Sequence, residues 1–470
     1  MNSAASYSIA IGYFPQLLGL VYLMAFVSLL VQVKGLYCLK GILPIHELVS
    51  ELQRKRGLPG ILRFPSIFWF SASDTFITSC AGVGVCLSIY LLAGLPPLPA
   101  LILLWLIYLS FASLGQEFLS FQWDALLLET GFMTIFLPLA TPSSPAVCLA
   151  YQLFFFRFML SAGTVKLTSH DPNWRNLRAM CFHYETQPIP NRFSWYAHQL
   201  PERVQKLSTL GTFLFELIVP FLALGTAPLK LASFCLLAFF QGLIILTGNY
   251  GFFNCLTVLL AVPLLEDRYL GMLGLSMPAA INASFPDALA GAVFGVFIVF
   301  ILLNILQIVR LFLRPHWVSR ILSLCGRWQI SNPYGLFAVM TTERYEFTIE
   351  GSRDLKVWLP YEFRWKPGDP TRPPRQAAPH QPRLDWQMWF AALNPAYMEA
   401  WLSRLVQRLL EGSPAVLGLF RSTPFTPAPP DYIRLVVYRY HFTDPATRRA
   451  SGRWWNRTEI GRSEPMTIKR

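Results

Sequence analysis

Three polar clusters in one connector hold the residue types that most often do chemistry. They are His170-Asp171-Pro172-Asn173-Trp174-Arg175, His183-Tyr184-Glu185-Thr186-Gln187-Pro188, and Trp195-Tyr196 followed by His198-Gln199-Leu200-Pro201. Imidazole and carboxylate groups brought together make a metal site or an acid–base pair, and His183 with Glu185 is the pair that would act. The spacing of His170, His183 and His198 matches no metal-ligand pattern, so neither a metal nor another cofactor is expected. Tryptophan and tyrosine interleaved with proline and arginine suit a loop resting at the lipid headgroups equally well. On composition alone, a structural or partner-binding role outweighs catalysis.

A second set of ionisable residues lies within or beside apolar runs: Asp74, Glu117, Asp124, Glu129, Arg157, Lys166 and Glu216. Such groups are costly in hydrocarbon and normally pair inside a helix bundle. Asp124 and Glu129 beside Arg157 and Lys166 predict an intramembrane ion-pair network. A clamp between helices is favoured over a proton or substrate path, because several of these residues sit near run ends where they can snorkel. No GxSxG elbow, phosphate loop, HExxH or dinucleotide fingerprint is present, so no enzyme class is indicated. The eight cysteines form no CxxC pair, and most sit in apolar runs, where a thiol behaves as a small hydrophobe. Cys38 and Cys181 lie in polar connectors and read as free thiols, with pairing in an oxidising compartment as the alternative. Asn282-Ala283-Ser284 and Asn456-Arg457-Thr458 match the N-glycosylation pattern, which arises often by chance.

The elements that must position these groups are mostly membrane spans. Of 470 residues 54% are hydrophobic and only 14% charged, against about 25% charged in a soluble domain. Apolar runs at 12–33, 67–92, 99–113, 146–167, 210–224, 229–247, 252–265 and 289–312 are separated by short polar breaks. The stretch 121–138 is interrupted by Asp124 and Glu129 and reads as a span facing the bundle interior or a re-entrant segment. The first run is too long for a signal peptide and reads as a retained span. The fold class expected is a polytopic α-helical membrane bundle of about eight spans, followed by a small, strand-rich α+β C-terminal domain.

The division is drawn at 1–325 for the bundle, with its polar loop at 168–204, and 326–470 for the C-terminal domain. In that domain 336–341, 345–349, 356–365, 415–420 and 432–441 are strand-like, 366–383 is a proline-rich loop, and 386–410 has helical spacing. The net charge of +13 resides mainly in loops and tail. Beside membrane spans such charge faces anionic lipid or sets orientation, and no nucleic-acid-binding module accompanies it.

The string from Asp171 to Leu177, then His183 to Asn191, then Ser194-Trp195-Tyr196 and His198 to Pro201, resembles the signature loop of the lipase maturation factors. Leu20 to Pro44 resembles that family's opening. Asn332-Pro333-Tyr334-Gly335-Leu336-Phe337, with Arg344-Tyr345-Glu346 and Glu350-Gly351-Ser352, resembles the start of its C-terminal domain. The resemblance implies a chaperone-like, membrane-resident folding factor rather than an enzyme. Its partners would be the lipid bilayer and a lipase-like client, engaged through the C-terminal region. It carries over no catalytic residue. The candidate functional surface is the 171–201 loop plus 332–351. The compact chain departs from the animal pattern and predicts a prokaryotic member in an inner membrane; a eukaryotic member would sit in the endoplasmic reticulum membrane.

Two functions from different classes follow. One is a folding factor for exported proteins, with Trp386, Trp389, Trp401, Trp454 and Trp455 available either to a client or to the domain's own core. The other is a membrane-embedded enzyme acting on a lipid or exported polypeptide through His170, His183, Glu185 and His198. The basic connector 34–63 argues for a cytoplasmic position, whereas the family places its C-terminal domain on the exported side.

Overall fold

The computed structural model describes residues 6–56, 60, 63–278, 286–394 and 399–468. Six helices in it are long and apolar enough to cross a membrane: α1 (Ser8–Leu30), α2 (Asp74–Leu92), α3 (Pro97–Leu114), α5 (Pro145–Thr168), α8 (Ala227–Thr247) and α10 (Asp287–Phe312). Three further helical segments pack among them. α4 (Gln122–Ile135) is buried along most of its length. A run over 202–222 is interrupted by a π turn at Leu214–Ile218. α9 (Phe253–Ala261) continues as a 3-10 turn at Val262–Leu264. The stretch 121–138 therefore forms an interior helix, and its carboxylates face protein rather than lipid. The second run begins at Asp74, with Ser73 capping the helix, because Ile67–Trp69 forms a separate 3-10 turn.

The connector after α5 folds into short helices, among them α6 (Ala179–Thr186) and α7 (Arg192–His198). The C-terminal sheet is antiparallel in the order β2-β1-β3-β4. Its strands are β1 (Arg344–Ser352), β2 (Leu359–Pro360), β3 (Tyr432–Phe442) and β4 (Trp455–Arg462). Helices α11 (Arg383–Leu393) and α12 (Glu399–Leu410) accompany it.

Three expectations for this region are corrected. Residues 336–341 are irregular, because side chains of the connector take their backbone groups: Trp174 donates to Phe337 O, Met340 N donates to Asp171, and Thr186 donates to Thr341 O. The 415–420 stretch begins as a helical turn, Pro414–Leu417, with proline at its first position. Of 356–365 only Leu359–Pro360 pairs as a strand, while the unforeseen β4 completes the sheet. The turn signal at 58–60 falls largely outside the described residues, and Asn282-Ala283-Ser284 falls wholly outside them. Asn456 is exposed on β4.

The five tryptophans offered as partner contacts are all buried; Trp401 and Trp455 are each 1% exposed. Trp386 and Trp401 belong to one apolar cluster that runs from Tyr7 and Phe14 in α1 to Ile433 at the C-terminal end, whereas Trp454 and Trp455 pack in a separate cluster with Trp195, Tyr440 and Phe442.

The described residues of connector 34–63, connector 168–204 and the described C-terminal region lie on one face of the bundle. Arg408 donates to Leu39 O and Gly41 O, and Arg404 pairs with Glu47. The start of α1 lies on the opposite face, where Asp267 accepts from Ser8 N and Ile9 N. All eight cysteines are free thiols, Cys38 buried and Cys181 partly exposed.

Candidate functional site

The candidate site is the seam where the 168–204 connector receives the C-terminal region. It begins with α6. Residues two apart on a helix face nearly opposite ways, so His183 and Glu185 cannot act on one substrate atom. Glu185 turns toward β3: its carboxylate accepts from Phe442 N at 2.7 Å, lies 3.1 Å from His441 Nδ1 and 3.6 Å from His198 Nε2. Burial holds the His198 pKa below its ordinary value. His183 turns the other way, to the Tyr250 hydroxyl at 2.9 Å, and burial, with Lys166 adding to it, pushes its pKa down to about 4. Gln187 Nε2 donates to Thr247 O and Ser194 Oγ, so its Oε1 faces Tyr250 and accepts the hydroxyl proton. His183 is therefore the Nε2–H donor in that contact.

Arg344 at the head of β1 makes the densest contact. One guanidinium edge pairs with Glu346, while the remaining donors reach Glu185 O at 3.0 Å, Gln187 O at 2.5 Å and Pro188 O at 2.9 Å. Pro188 has no N–H, and α6 ends at Thr186, so these carbonyls lack helical partners and a planar five-donor fork satisfies them together. Lys366 takes the second oxygen of Glu346 at 2.7 Å. Trp195 and Gln199 both donate to Thr443 O, at 2.9 and 3.3 Å. The Thr186 carbonyl accepts from Trp389.

The rest of the connector is structural in the same way. Asp171 caps the turn Pro172–Arg175, accepting from Asn173 N at 2.8 Å, and its other oxygen meets Met340 N. Trp174 is buried. Arg175 is exposed and bonds His170. Tyr184 lines a cavity described below. The Tyr345 hydroxyl donates to the neighbouring Glu343, and Pro333 is exposed.

The intramembrane charges pair, but not as one network. Glu129 pairs with Arg157 and also accepts from Asn332 N at 2.8 Å and the Tyr334 hydroxyl at 2.7 Å. Arg157 in turn donates to Asn332 O. Gln122 closes this corner by bonding both the N–H and the C=O of Gly335. Lys166 pairs with Glu216 at 2.7 Å. Asp124 pairs with neither predicted cation. Its partner is Arg383, in the stretch read as a proline-rich loop. Asp74 lies at the helix start and accepts from Leu39 N.

Arg383, Lys366, Tyr250 and His441 were invisible to sequence reasoning because each partner is remote in the chain. The one available signal was Arg383 itself, a cation following a run of prolines and preceding an apolar helix.

Among the described residues, no group of three or more His, Cys, Asp or Glu side chains could hold a metal ion. The geometry can clamp two regions together and leaves exposed polar and aromatic side chains at the seam's edge. There Arg448 lies 3.6 Å from the ring centre of Trp454 and 4.5 Å from that of Trp195, beside the half-exposed Tyr196.

Residues 10–272 match the family model described as the lipase maturation factor transmembrane domain, and residues 330–465 match the lipase maturation factor C-terminal domain. Lipase maturation factor 2 of Rattus norvegicus is 34% identical, over 94% of this chain and 81% of its own. Lipase maturation factor 2 of Homo sapiens is 34% identical, over 94% and 80%. Lipase maturation factor 1 of Homo sapiens is 32% identical, over 94% and 85%. No solved structure matches the chain.

Proposed function

The chain belongs to the lipase maturation factor family, and from that membership we propose that this multi-pass membrane protein is a folding and assembly factor for exported lipases. The observation that carries the reading is the correspondence of both regions, in the same order, with relatives named for that task. The seam supports it. Asp171, Glu185, Thr186, Gln187, Asn332, Tyr334, Arg344 and Glu346 act as positioning residues that hold the C-terminal region rigidly against the bundle. A client then meets a preorganised surface, which lowers the ordering cost of binding. We infer that this face looks into the endoplasmic reticulum lumen in a eukaryotic cell, or out of the inner membrane in a prokaryote.

A second reading places the same face in the cytoplasm. Lys34, Lys40, Arg54, Lys55 and Arg63 lie on that side with the basic C-terminal region, and basic loops favour the cytoplasm. An exported lipase could not then be the client.

Rescue tests the function. In cells that lack their own maturation factor and express a secreted lipase, the full chain is expected to restore secreted lipase activity. Abundant, membrane-inserted protein with lipase activity no higher than the empty vector overturns the reading.

A further inference from the structure

A cavity of about 470 Å³ lies beneath the seam, between α5, α6, the 202–222 run, α8 and α9. None of the positioning contacts described above needs it to be hollow. Its walls are mostly apolar, with Phe158, Phe215, Phe240 and Ile244 prominent. Leu207, Phe239 and Leu243 line it and are also exposed; beside them the outer surface carries Leu210, Leu214, Leu236 and Leu246, and the surface charges Glu202, Arg203 and Lys206 are confined to the start of the 202–222 run. The mouth therefore opens sideways into hydrocarbon rather than toward water.

The inner end is polar. Glu216 sits in the π turn of the 202–222 run, and the extra residue of that turn rotates its carboxylate inward onto Lys166. Such turns often mark functional sites. The pair is mutually neutralised, and Lys166 and Glu216 are the only Asp, Glu, Lys or Arg side chains in the described lining. His183 is uncharged at neutral pH, as its lowered pKa requires. Asn254, 1% exposed, donates to Gln241 Oε1 at 2.7 Å, and its own Oδ1 has no partner among the described residues. A buried acceptor left unmatched costs about 1–3 kcal/mol. That oxygen is enclosed beside the cavity wall, so a donor arriving in the cavity reaches it through a turn of the Asn254 side chain.

We propose that this cavity binds a neutral, single-chain lipid of the bilayer whose hydroxyl-bearing head donates to Asn254. Three observations select that chemistry. The lateral mouth selects a molecule already dissolved in the membrane. The absence of uncompensated charge in the described lining excludes phosphate and carboxylate heads, since a buried ion without a counter-charge is strongly disfavoured. At about 30 Å³ per heavy atom, as for water, the volume holds on the order of 15 atoms: a small head and the first part of one chain, whose remainder lies through the mouth in the bilayer. The site is independent of the client reading, and its loss would leave that reading untouched.

The test is photolabelling of the full-length protein in phosphatidylcholine vesicles with a monoacylglycerol carrying a diazirine and an alkyne. Saturable labelling is expected on the 202–222 and 227–247 peptides, displaced by unlabelled monoacylglycerol but not by phosphatidate. Gly211 lines the cavity, and a Cβ there would meet nothing within 4 Å. Gly211→Trp is therefore expected to fill the space and cut labelling at least 10-fold with an unchanged melting temperature. Should that variant fold poorly, Asn254→Leu serves, with a 10-fold weaker competition by the hydroxyl lipid expected. Unsaturable labelling, labelling spread over all outward helices, full labelling of a folded cavity variant, or equal displacement by phosphatidate overturns the proposal.

Discussion

Arg383 and Asp124, 259 positions apart in the chain, form a two-pronged pair with both N–O distances at 2.8 Å, joining the C-terminal region to the interior of the bundle. Both side chains are buried, Tyr108 donates to the same carboxylate, and Arg383 also reaches Phe118 O. A charge pair taken wholly out of water needs its lone pairs and protons matched, and here every donor of Arg383 but Nε finds an acceptor.

Removing one partner leaves the other charged and buried. Arg383→Met is expected to destabilise by about 3–5 kcal/mol, read as a large drop in melting temperature in detergent. The double variant with Asp124→Leu should recover most of the loss, since apolar replacement of both members is often neutral. A single variant that melts like the wild type would remove the pair from the account of how the regions are joined.

Arg344→Lys keeps the charge but loses the fork, and an ammonium cannot reach Glu346 and three carbonyls together. Each charge-assisted hydrogen bond is worth about 1.5–3 kcal/mol. Limited proteolysis should cut the 330–343 approach to β1 much faster in this variant, while the spans stay protected. Identical cleavage rates would show that the clasp does not hold the seam.

Two histidines make stability depend on pH. His183 and His380 both have pKa values pushed down to about 4, by burial first and by nearby cations second. In the unfolded chain each titrates near the ordinary 6.5, so between those values the unfolded state binds more protons. Stability should be full above about pH 6.5 and fall on acidification toward pH 4, by at most about 3 kcal/mol for each group. Substituting Asn for both should reduce the slope of melting temperature against pH in that window, and His198, whose pKa burial also lowers, supplies part of what is left. A slope unchanged by the substitutions would assign it to other groups.

Single-cysteine versions retaining Cys181, or carrying Asn456→Cys or Arg268→Cys, test the architecture. A membrane-impermeant maleimide should reach positions 181 and 456 from one side and 268 from the other. The side that holds 181 and 456 also chooses between the exported and cytoplasmic readings. Labelling of 181 and 456 from opposite sides would refute the shared face.

The sequence by itself determined the solvent of each part. Runs such as 289–312 are apolar enough to fix a membrane span without reference to any other element, because hydrophobic transfer and satisfaction of the backbone within one helix are local. The signature strings around Asp171 and Asn332 likewise announced the family from neighbouring residues alone. Only the tertiary structure decided what those strings do. The partners of Glu185 are His198, His441 and Phe442, and the partner of Asp124 is Arg383, reached across 259 positions. Pairing between remote charges depends on which helices pack together, and no local spacing encodes it. The same reason separates His183 from Glu185: adjacent in the motif, they are sent to opposite sides of α6 by the helical twist, one to the cavity and one to the seam.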